Sequence, residues 1–223
     1  MRIKKLLVLL SLALLPTLFL PNLVNADSSV TGKTIVLDPG HGGSDSGAIA
    51  TGANGTLREA DVTWDIARRL RTLLEADNVT VYLTRDCDCD KSNNDRYSLA
   101  NNVGGQALVS IHLNGSTNPN VNGTQGLYGQ KNKDMNFAKI MHQALYPSLG
   151  IPDLGVTNFA SGVLLKSNMP ATIAETIFIT NTNEYNLLID GTGNRQEQIA
   201  QNLYQGLITW FSLPPSHPKG GKP

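Results

Sequence analysis

The chain has 223 residues with 18 basic and 18 acidic side chains, so its formal net charge is zero at pH 7. It contains no basic stripe of the kind that binds nucleic acid, which argues against nucleic acid as a partner. The length suits one domain with a sizeable hydrophobic core, and no internal repeat or second domain is visible.

The first residues have the pattern of a secretory signal peptide. A basic start precedes an almost wholly apolar stretch over residues 6–20, and Val24 and Ala26 form a small-residue cleavage pattern. A retained membrane anchor is the alternative, but the prolines that interrupt the apolar stretch and the cleavage pattern favour removal. We therefore expect an exported protein, either periplasmic or extracellular, with no membrane contact after cleavage.

Cleavage after Ala26 removes 26 of the 223 residues and leaves 197. It also removes three basic residues, which leaves 15 basic against 18 acidic side chains and a net charge of −3. We expect the signal peptide to span residues 1–26 and the domain to span residues 27–213. Residues 214–223, rich in proline and glycine, are expected to form a flexible tail, and the protein is expected to be a monomer.

Apolar periodicity predicts alternating strands and helices. Short apolar and β-branched runs indicate strands, and apolar residues that recur every three or four positions indicate helices. In chain order, the predicted elements are a strand over 33–38, a helix over 58–76, a strand over 79–84, a helix over 95–103, a strand over 106–113, an extended piece near Gly126, a helix over 134–149, strands over 162–166 and 171–179, and helices over 183–189 and 195–211. This order predicts an α/β three-layer sandwich with a mostly parallel twisted sheet and helices on both faces.

Four polar residues stand at strand ends or at the start of the first helix, namely His41, Glu59, His112 and Glu175. Because ligands bind beyond the carboxyl ends of parallel strands, we expect these side chains to meet at one edge of the sheet. Two histidines and a carboxylate form a ligand set for catalytic zinc, and a second glutamate can then move protons.

Spacing alone does not decide which carboxylate would be the ligand, because Asp38, Asp45 and Asp61 compete with Glu59. The chain lacks the H-E-x-x-H pattern, which argues against a zincin-type protease. A glycosidase is also disfavoured, since that chemistry uses two paired carboxylates and no metal.

The remaining histidines and the two cysteines are expected to lie outside the site. His142 is predicted on the polar side of a helix, and His217 lies in the tail. Cys87 and Cys89 are only two positions apart, where a disulfide would be strained. We therefore expect a solvated acidic turn there rather than a structural bridge or a metal loop.

The chain resembles the zinc-dependent N-acetylmuramoyl-L-alanine amidases, a family of bacterial cell-wall hydrolases. The matching segments occur in order and are "IVLDPGHGGSDSGA", "READVTWDIARRL", "YLTR", "DRYSLANN", "LVSIHLN" and "PATIAETIFITNTNE". They span about residues 33–210, nearly the whole expected domain. A set of this length in this order is very hard to obtain by chance.

The resemblance implies roles for the candidate residues. One zinc ion would be bound by His41, Glu59 and His112, with Glu175 as the catalytic glutamate, and Asp38 would orient a ligand. The implied substrate is peptidoglycan. The implied reaction is hydrolysis of the amide between the lactyl group of N-acetylmuramic acid and L-alanine, in the periplasm or at the cell wall.

The chain departs from the family pattern at Ile177, where the family commonly has glycine, so we expect a narrowed cleft floor. Only 62 residues separate His112 from Glu175, and the helix predicted there fits the core fold. We therefore expect no helical insertion of the kind that plugs the zinc site in some relatives. Two alternatives stay open: a catalytically silent wall-binding module, and a zinc-dependent peptidase or amide hydrolase with another substrate.

Overall fold

The computed structural model describes residues 28–214, so the predicted signal peptide and residues 215–223 of the predicted tail, with His217, lie outside the described residues. The strands are β1 (Thr34–Pro39), β2 (Ile49–Gly52), β3 (Gly55–Arg58), β4 (Thr80–Leu83), β5 (Ala107–Asn114), β6 (Thr124–Tyr128), β7 (Asp153–Asn158) and β8 (Ala171–Phe178). The helices are α1 (Glu59–Ala76), α2 (Asn93–Asn102), α3 (Lys131–Leu149), α4 (Gly162–Lys166), α5 (Thr182–Ile189) and α6 (Asn194–Ser212). Within the described part of the chain, no helix has the length and apolar character to span a membrane.

The centre of the fold is a six-stranded sheet with the order β4-β1-β5-β8-β6-β7. The first four of these strands are parallel, β6 is antiparallel to β8, and β7 is parallel to β6. Helices α1, α3 and α6 pack on one face around the larger core, and α2 and α4 pack on the other around a smaller one. The predicted α/β three-layer class is confirmed.

Helix α1 shows how the sequence pattern places a site residue. Its apolar side chains Val62, Ile66, Leu70 and Leu74 recur every four residues, and all are buried. This stripe fixes α1 against the sheet, and the first residue of the helix, Glu59, then stands at the carboxyl ends of the parallel strands.

The prediction of a strand over residues 162–166 is wrong, because this segment is the short helix α4. A five-residue apolar run has no periodicity that separates a strand from a buried helical turn. Val163 and Leu164 both pack into the smaller core, next to Met169.

Two features were not predicted: the β2–β3 hairpin and the edge strand β7. The hairpin pairs Ile49 with Arg58 and turns at Ala53 and Asn54. An Asn-Gly pair at Asn54 and Gly55 was an available hairpin signal. Strand β7 escaped prediction because its sequence, DLGVTN, contains residues that are depleted in strands.

A buried ion pair fixes the end of β1. Asp38 is 1% exposed, and its carboxylate accepts hydrogen bonds from Ser110 Oγ at 2.6 Å and from Arg96 Nη1 at 2.7 Å. Arg96 also donates to the carbonyl oxygens of Pro39 and His41, at 2.7 and 2.8 Å. The pair therefore holds the backbone where the chain leaves the sheet.

Replacing Asp38 with alanine is expected to destabilise the fold by about 3–5 kcal/mol, because it leaves the Arg96 guanidinium buried and unpaired. Urea unfolding followed by circular dichroism measures the change. The control is Asp65→Ala, which removes the exposed partner of Arg69 and should cost no more than about 1 kcal/mol. Equal losses for the two variants would contradict the structural role of the buried pair.

Candidate metal centre and active site

The structure brings His41, Glu59 and His112 together from three different elements. His41 lies in the turn after β1, Glu59 begins α1, and His112 lies near the end of β5. Their candidate ligand atoms lie within 4.8 Å of one another. Glu59 Oε1 is 3.1 Å from His41 Nε2 and 3.0 Å from His112 Nδ1, so the carboxylate joins the two rings.

This cluster fits a zinc ion. Ligand atoms placed 2.0–2.1 Å from a tetrahedral ion lie about 3.3 Å apart, close to the separations between Glu59 and the two rings. The donor set of two imidazole nitrogens and one carboxylate oxygen is also that of catalytic zinc sites, in which the fourth position is open. Metal binding by these residues stays a prediction that the geometry favours.

Hydrogen bonds from outside the cluster orient its members. His41 Nδ1 lies 2.8 Å from Asp45 Oδ2, which leaves Nε2 directed at Glu59. The Glu59 carboxylate accepts hydrogen bonds from the backbone amides of Ala48, at 2.8 Å, and Leu113, at 2.9 Å. Partners of this kind fix the orientation of metal ligands and raise metal affinity.

The structure gives each competing aspartate a different place. Asp45 contacts the ring of His41, as described above, whereas Asp61 lies 3.3 Å from Arg58. Asp38 binds Ser110 and Arg96 in the interior, and Arg96 donates to the carbonyl oxygen of His41, so the role of Asp38 in orienting a ligand stays a prediction. Among these three aspartates, Asp45 is the one whose carboxylate contacts a ligand ring.

Glycine is required in the turn because the site residues crowd against it. A Cβ atom at Gly40 would lie 2.4 Å from His112 Cε1, and one at Gly47 would lie 2.6 Å from Glu59 Oε2. His41 itself has a φ of 59°, in the left-handed region. Because these glycines have no side chain, the backbone of the turn can pass close to the site residues and place the His41 imidazole in the cluster.

Glu175 lies beside the cluster on the neighbouring strand. In the parallel pair of β5 and β8, Glu175 is in register with His112, and neighbouring strands lie about 4.8 Å apart. Burial raises the pKa of Glu175, the charge of Glu59 adds to this shift, and His112 and His41 oppose it. A carboxylate with a raised pKa beside the cluster of candidate metal ligands is suited to proton transfer.

The predicted narrowing of the cleft by Ile177 is wrong. The register between β5 and β8 shifts from the pair His112 and Glu175 to the pair Asn114 and Phe178, so β8 contains one extra residue. Such a bulge changes the face to which the following side chains point. Ile177 is fully buried in the larger core.

His142 is buried, not on a polar helix surface as predicted. It is 4% exposed, and its Nε2 lies 2.6 Å from Asp153 Oδ1. The pair joins α3 to the edge strand β7, apart from the ligand cluster. Its role there is structural.

The expectation that Cys87 and Cys89 would not be bridged is also wrong. The structure joins them in a disulfide, with their Cα atoms 5.3 Å apart. The acidic turn bends sharply enough to bring two residues of close spacing into the usual Cα range of about 4.4–6.8 Å for disulfides.

Charges within the cluster of His41, Glu59 and His112 stabilise one another. Burial alone would lower the pKa of His41, but the hydrogen bonds and charges of Glu59 and Asp45 raise it to about 9. Burial would likewise raise the pKa of Glu59, but its hydrogen bonds to His112 and His41 and their charges lower it to about 2. A proton on His41 is therefore held at neutral pH in the place where a cation would bind.

Two recesses lie near the carboxyl ends of the parallel strands. One, of about 200 Å³, is lined by His41, His112, Lys91 and the half-exposed ring of Phe159. The other, of about 420 Å³, lies between the β2–β3 hairpin and α5 and is lined only by uncharged residues, with Tyr185 among them. Of these two recesses, the first is lined by two residues of the cluster and the second by none.

Known proteins share both the sequence pattern and the fold. Residues 35–209 match the family described as N-acetylmuramoyl-L-alanine amidase. The chain is 33% identical over 185 residues to N-acetylmuramoyl-L-alanine amidase LytC of Bacillus subtilis (strain 168), a match covering 82% of this chain and 36% of LytC. This chain therefore spans only about a third of LytC.

Two further proteins are matched along most of their length. The germination-specific N-acetylmuramoyl-L-alanine amidase of Bacillus subtilis (strain 168) is 30% identical over 203 residues, which cover 82% of this chain and 81% of that protein. The structure of N-acetylmuramoyl-L-alanine amidase AmiC2 of Nostoc punctiforme superposes with a TM-score of 0.73 at 31% identity, covering 82% of this chain and 99% of AmiC2.

Zinc affinity is expected to rise about tenfold per pH unit between pH 7 and 9 and to level off above 9. The reason is that His41, with a pKa of about 9, must release one proton to bind metal, while Glu59 is already ionised. Competition with a chromogenic chelator measures the affinity. His41→Ala should abolish high-affinity binding, and His142→Ala is the control that should leave it intact; the reverse pattern would remove His41 from the ligand set.

Proposed function

This chain belongs to the N-acetylmuramoyl-L-alanine amidase family, and from that premise we propose that it hydrolyses the bond between N-acetylmuramic acid and L-alanine in peptidoglycan. The observation that carries the proposal is the cluster of His41, Glu59 and His112 with Glu175 in register beside it. Its products would be stem peptides that begin with L-alanine and glycan strands without peptides.

We propose that one zinc ion is held by His41 Nε2, Glu59 Oε1 and His112 Nδ1. Zinc dependence is general for the family, and the donor set fits it. Bound there, zinc would lower the pKa of a water molecule towards about 7 and polarise the amide carbonyl. Asp45 would hold the His41 ring in the tautomer that leaves Nε2 free, and the backbone amides of Ala48 and Leu113 would fix the Glu59 carboxylate.

Glu175 is proposed as the general base and then as the general acid. Its carboxylate would accept a proton from the attacking water and then donate that proton to the nitrogen of L-alanine as the amide bond breaks. The raised pKa of Glu175 favours this role, since a more basic carboxylate accepts a proton more readily. The same proton thus leaves with the peptide, and the carboxylate is regenerated.

We propose that the recess lined by His41 and His112 and the larger recess beyond the carboxyl ends of β5 and β8 both bind parts of the substrate. The larger recess is lined by hydroxyl and amide side chains with the ring of Tyr185, groups that suit the neutral hydroxyls and acetamido groups of a sugar. The smaller recess includes the ammonium group of Lys91 and the ring of Phe159. A silent wall-binding module is less well supported, because binding alone gives no reason for Glu175 beside a metal cluster.

We propose that the protein is exported and acts at the cell wall as a monomer, with residues 27–213 as the catalytic domain. Relatives from Staphylococcus have the name "Probable cell wall amidase LytH", and the signal pattern of residues 1–26 supports export. The Cys87–Cys89 disulfide agrees with an oxidising compartment.

Glu175→Ala is expected to lower peptide release by about 10²–10⁴-fold, the usual contribution of a general acid–base group, while zinc content and the far-UV spectrum stay unchanged. Glu197→Ala, which removes a partly buried carboxylate on α6 that pairs with Arg69, is the control and should retain full activity. Turnover by Glu175→Ala equal to that of the control would exclude Glu175 from the reaction.

Incubation with purified peptidoglycan is expected to release peptides with a free L-alanine amino terminus, because the scissile nitrogen is that of L-alanine. Mass spectrometry of the soluble products, with and without a zinc chelator, measures the release. Release should stop on chelation and return when zinc is added. Products cut within the peptide would point to a peptidase, and release unaffected by chelation would exclude the metal.

A further inference from the structure

The acidic turn over residues 86–90, which we call the disulfide turn, packs its backbone against the glycine-rich turn that carries His41. A Cβ atom at Gly43 would lie 2.6 Å from the amide nitrogen of Asp90. The φ of Gly43 is 61°, in the region that favours glycine. The two turns are therefore in direct backbone contact.

Two carboxylates of the disulfide turn bind the backbone of the glycine-rich turn. Asp88 Oδ1 accepts a hydrogen bond from the amide of Gly43 at 2.8 Å. Asp90 Oδ1 accepts two, from the amide of Ser44 at 2.9 Å and from its hydroxyl at 2.6 Å. Arg58 ties the turns together, since it donates to Asp88 Oδ2 and to the carbonyl oxygen of Gly43, both at 3.0 Å.

The residue after Ser44 is the one that orients the candidate zinc ligand. Asp45 exchanges backbone hydrogen bonds of 2.8 and 3.1 Å with Gly42, and its carboxylate lies 2.8 Å from His41 Nδ1. The position of the backbone at Ser44 therefore determines where the Asp45 carboxylate meets the imidazole.

The disulfide restricts how the turn can move. Cys87 and Cys89 enclose Asp88 in a small covalent ring. The carbonyl oxygen of Cys87 accepts a hydrogen bond of 3.0 Å from Arg85, whose buried guanidinium also donates to the carbonyl oxygen of Gly40 at 2.8 Å. The turn is thus attached to both ends of the segment that carries His41.

We propose that the disulfide turn is a positioning element of the metal centre. The Cys87–Cys89 bridge holds Asp88 and Asp90 against the glycine-rich turn and so fixes His41 for zinc. The inference rests on the proposed function, because it takes His41 as a zinc ligand. Asp88 and Asp90 are positioning residues and do not touch the ion.

The test measures the dissociation constant for Zn²⁺ by chelator competition in the mature protein and in a set of variants of the disulfide turn. Cys87→Ser combined with Cys89→Ser, Asp88→Ala, and Asp90→Ala should each weaken zinc binding by about tenfold, the lower end of the effect of losing a group that orients a ligand. Asp90→Asn keeps the Oδ1 acceptor and should bind zinc like the wild type.

Asp86→Ala is the matched control within the same turn. The Asp86 carboxylate faces α1, where it lies 3.3 Å from Trp64 Nε1 and 3.5 Å from an Arg71 nitrogen, so its loss should leave zinc affinity unchanged. Removing the bridge in an Asp88→Ala, Asp90→Ala background should weaken binding no further, because the bridge acts through these carboxylates.

Equal zinc affinity in the wild type, the Asp88→Ala variant and the Asp90→Ala variant would overturn the inference and leave the proposed function standing. An Asp86→Ala loss as large as theirs would overturn it too, because the effect would then be one of general stability. Failure of the wild type itself to bind zinc would overturn the proposed metal centre and this inference with it. If the cysteine variants do not fold, the aspartate variants still decide the question.

Discussion

The carboxylate of Glu59 is the point on which the candidate site depends. It sits at the positive end of the α1 dipole, which favours a negative charge there. Its oxygens accept backbone hydrogen bonds from Ala48 and Leu113, and one oxygen lies about 3 Å from each imidazole. One ionised group of α1 therefore contacts residues of the segment just before β2 and of β5. Its negative charge attracts either a proton or a metal cation.

The site is supported by groups that do not take part in it. The buried Asp38–Arg96 pair holds the backbone at the end of β1, and Arg85 donates to the carbonyl oxygens of Pro39 and Gly40. The disulfide turn then contacts the same segment from outside. His41 has a left-handed backbone conformation, and the glycines around it leave the chain conformationally free. The contacts that fix the conformation of this turn therefore come from neighbouring segments. We infer that rigidity at His41 is built from the surroundings inward.

Pattern and periodicity were sufficient for the elements that carry the site. The apolar run before His41, the buried stripe of α1 and the strand that contains His112 are each encoded locally, and all three were predicted. Prediction failed over residues 162–166, where a short apolar run fits either element type. It failed at Ile177 for another reason, since a bulge in β8 reverses the side-chain alternation and the amino-acid sequence carries no local signal for a bulge there.

The sequence by itself determined the fold class, because the apolar periodicity of strands and helices is encoded locally. It also determined the family, through an ordered set of motifs. The expected positions of His41, His112 and Glu175 follow from parallel strands that align their carboxyl ends, whereas the choice of Glu59 over the competing aspartates came from the resemblance to the family. Only the tertiary structure decided the contacts between segments distant in the chain. It assigned Asp45 to the His41 ring and Asp38 to Arg96, and it brought the disulfide turn against Gly43 and Ser44. Hydrogen bonds act over about 3 Å, so their partners are chosen by how the elements pack and not by their order in the sequence.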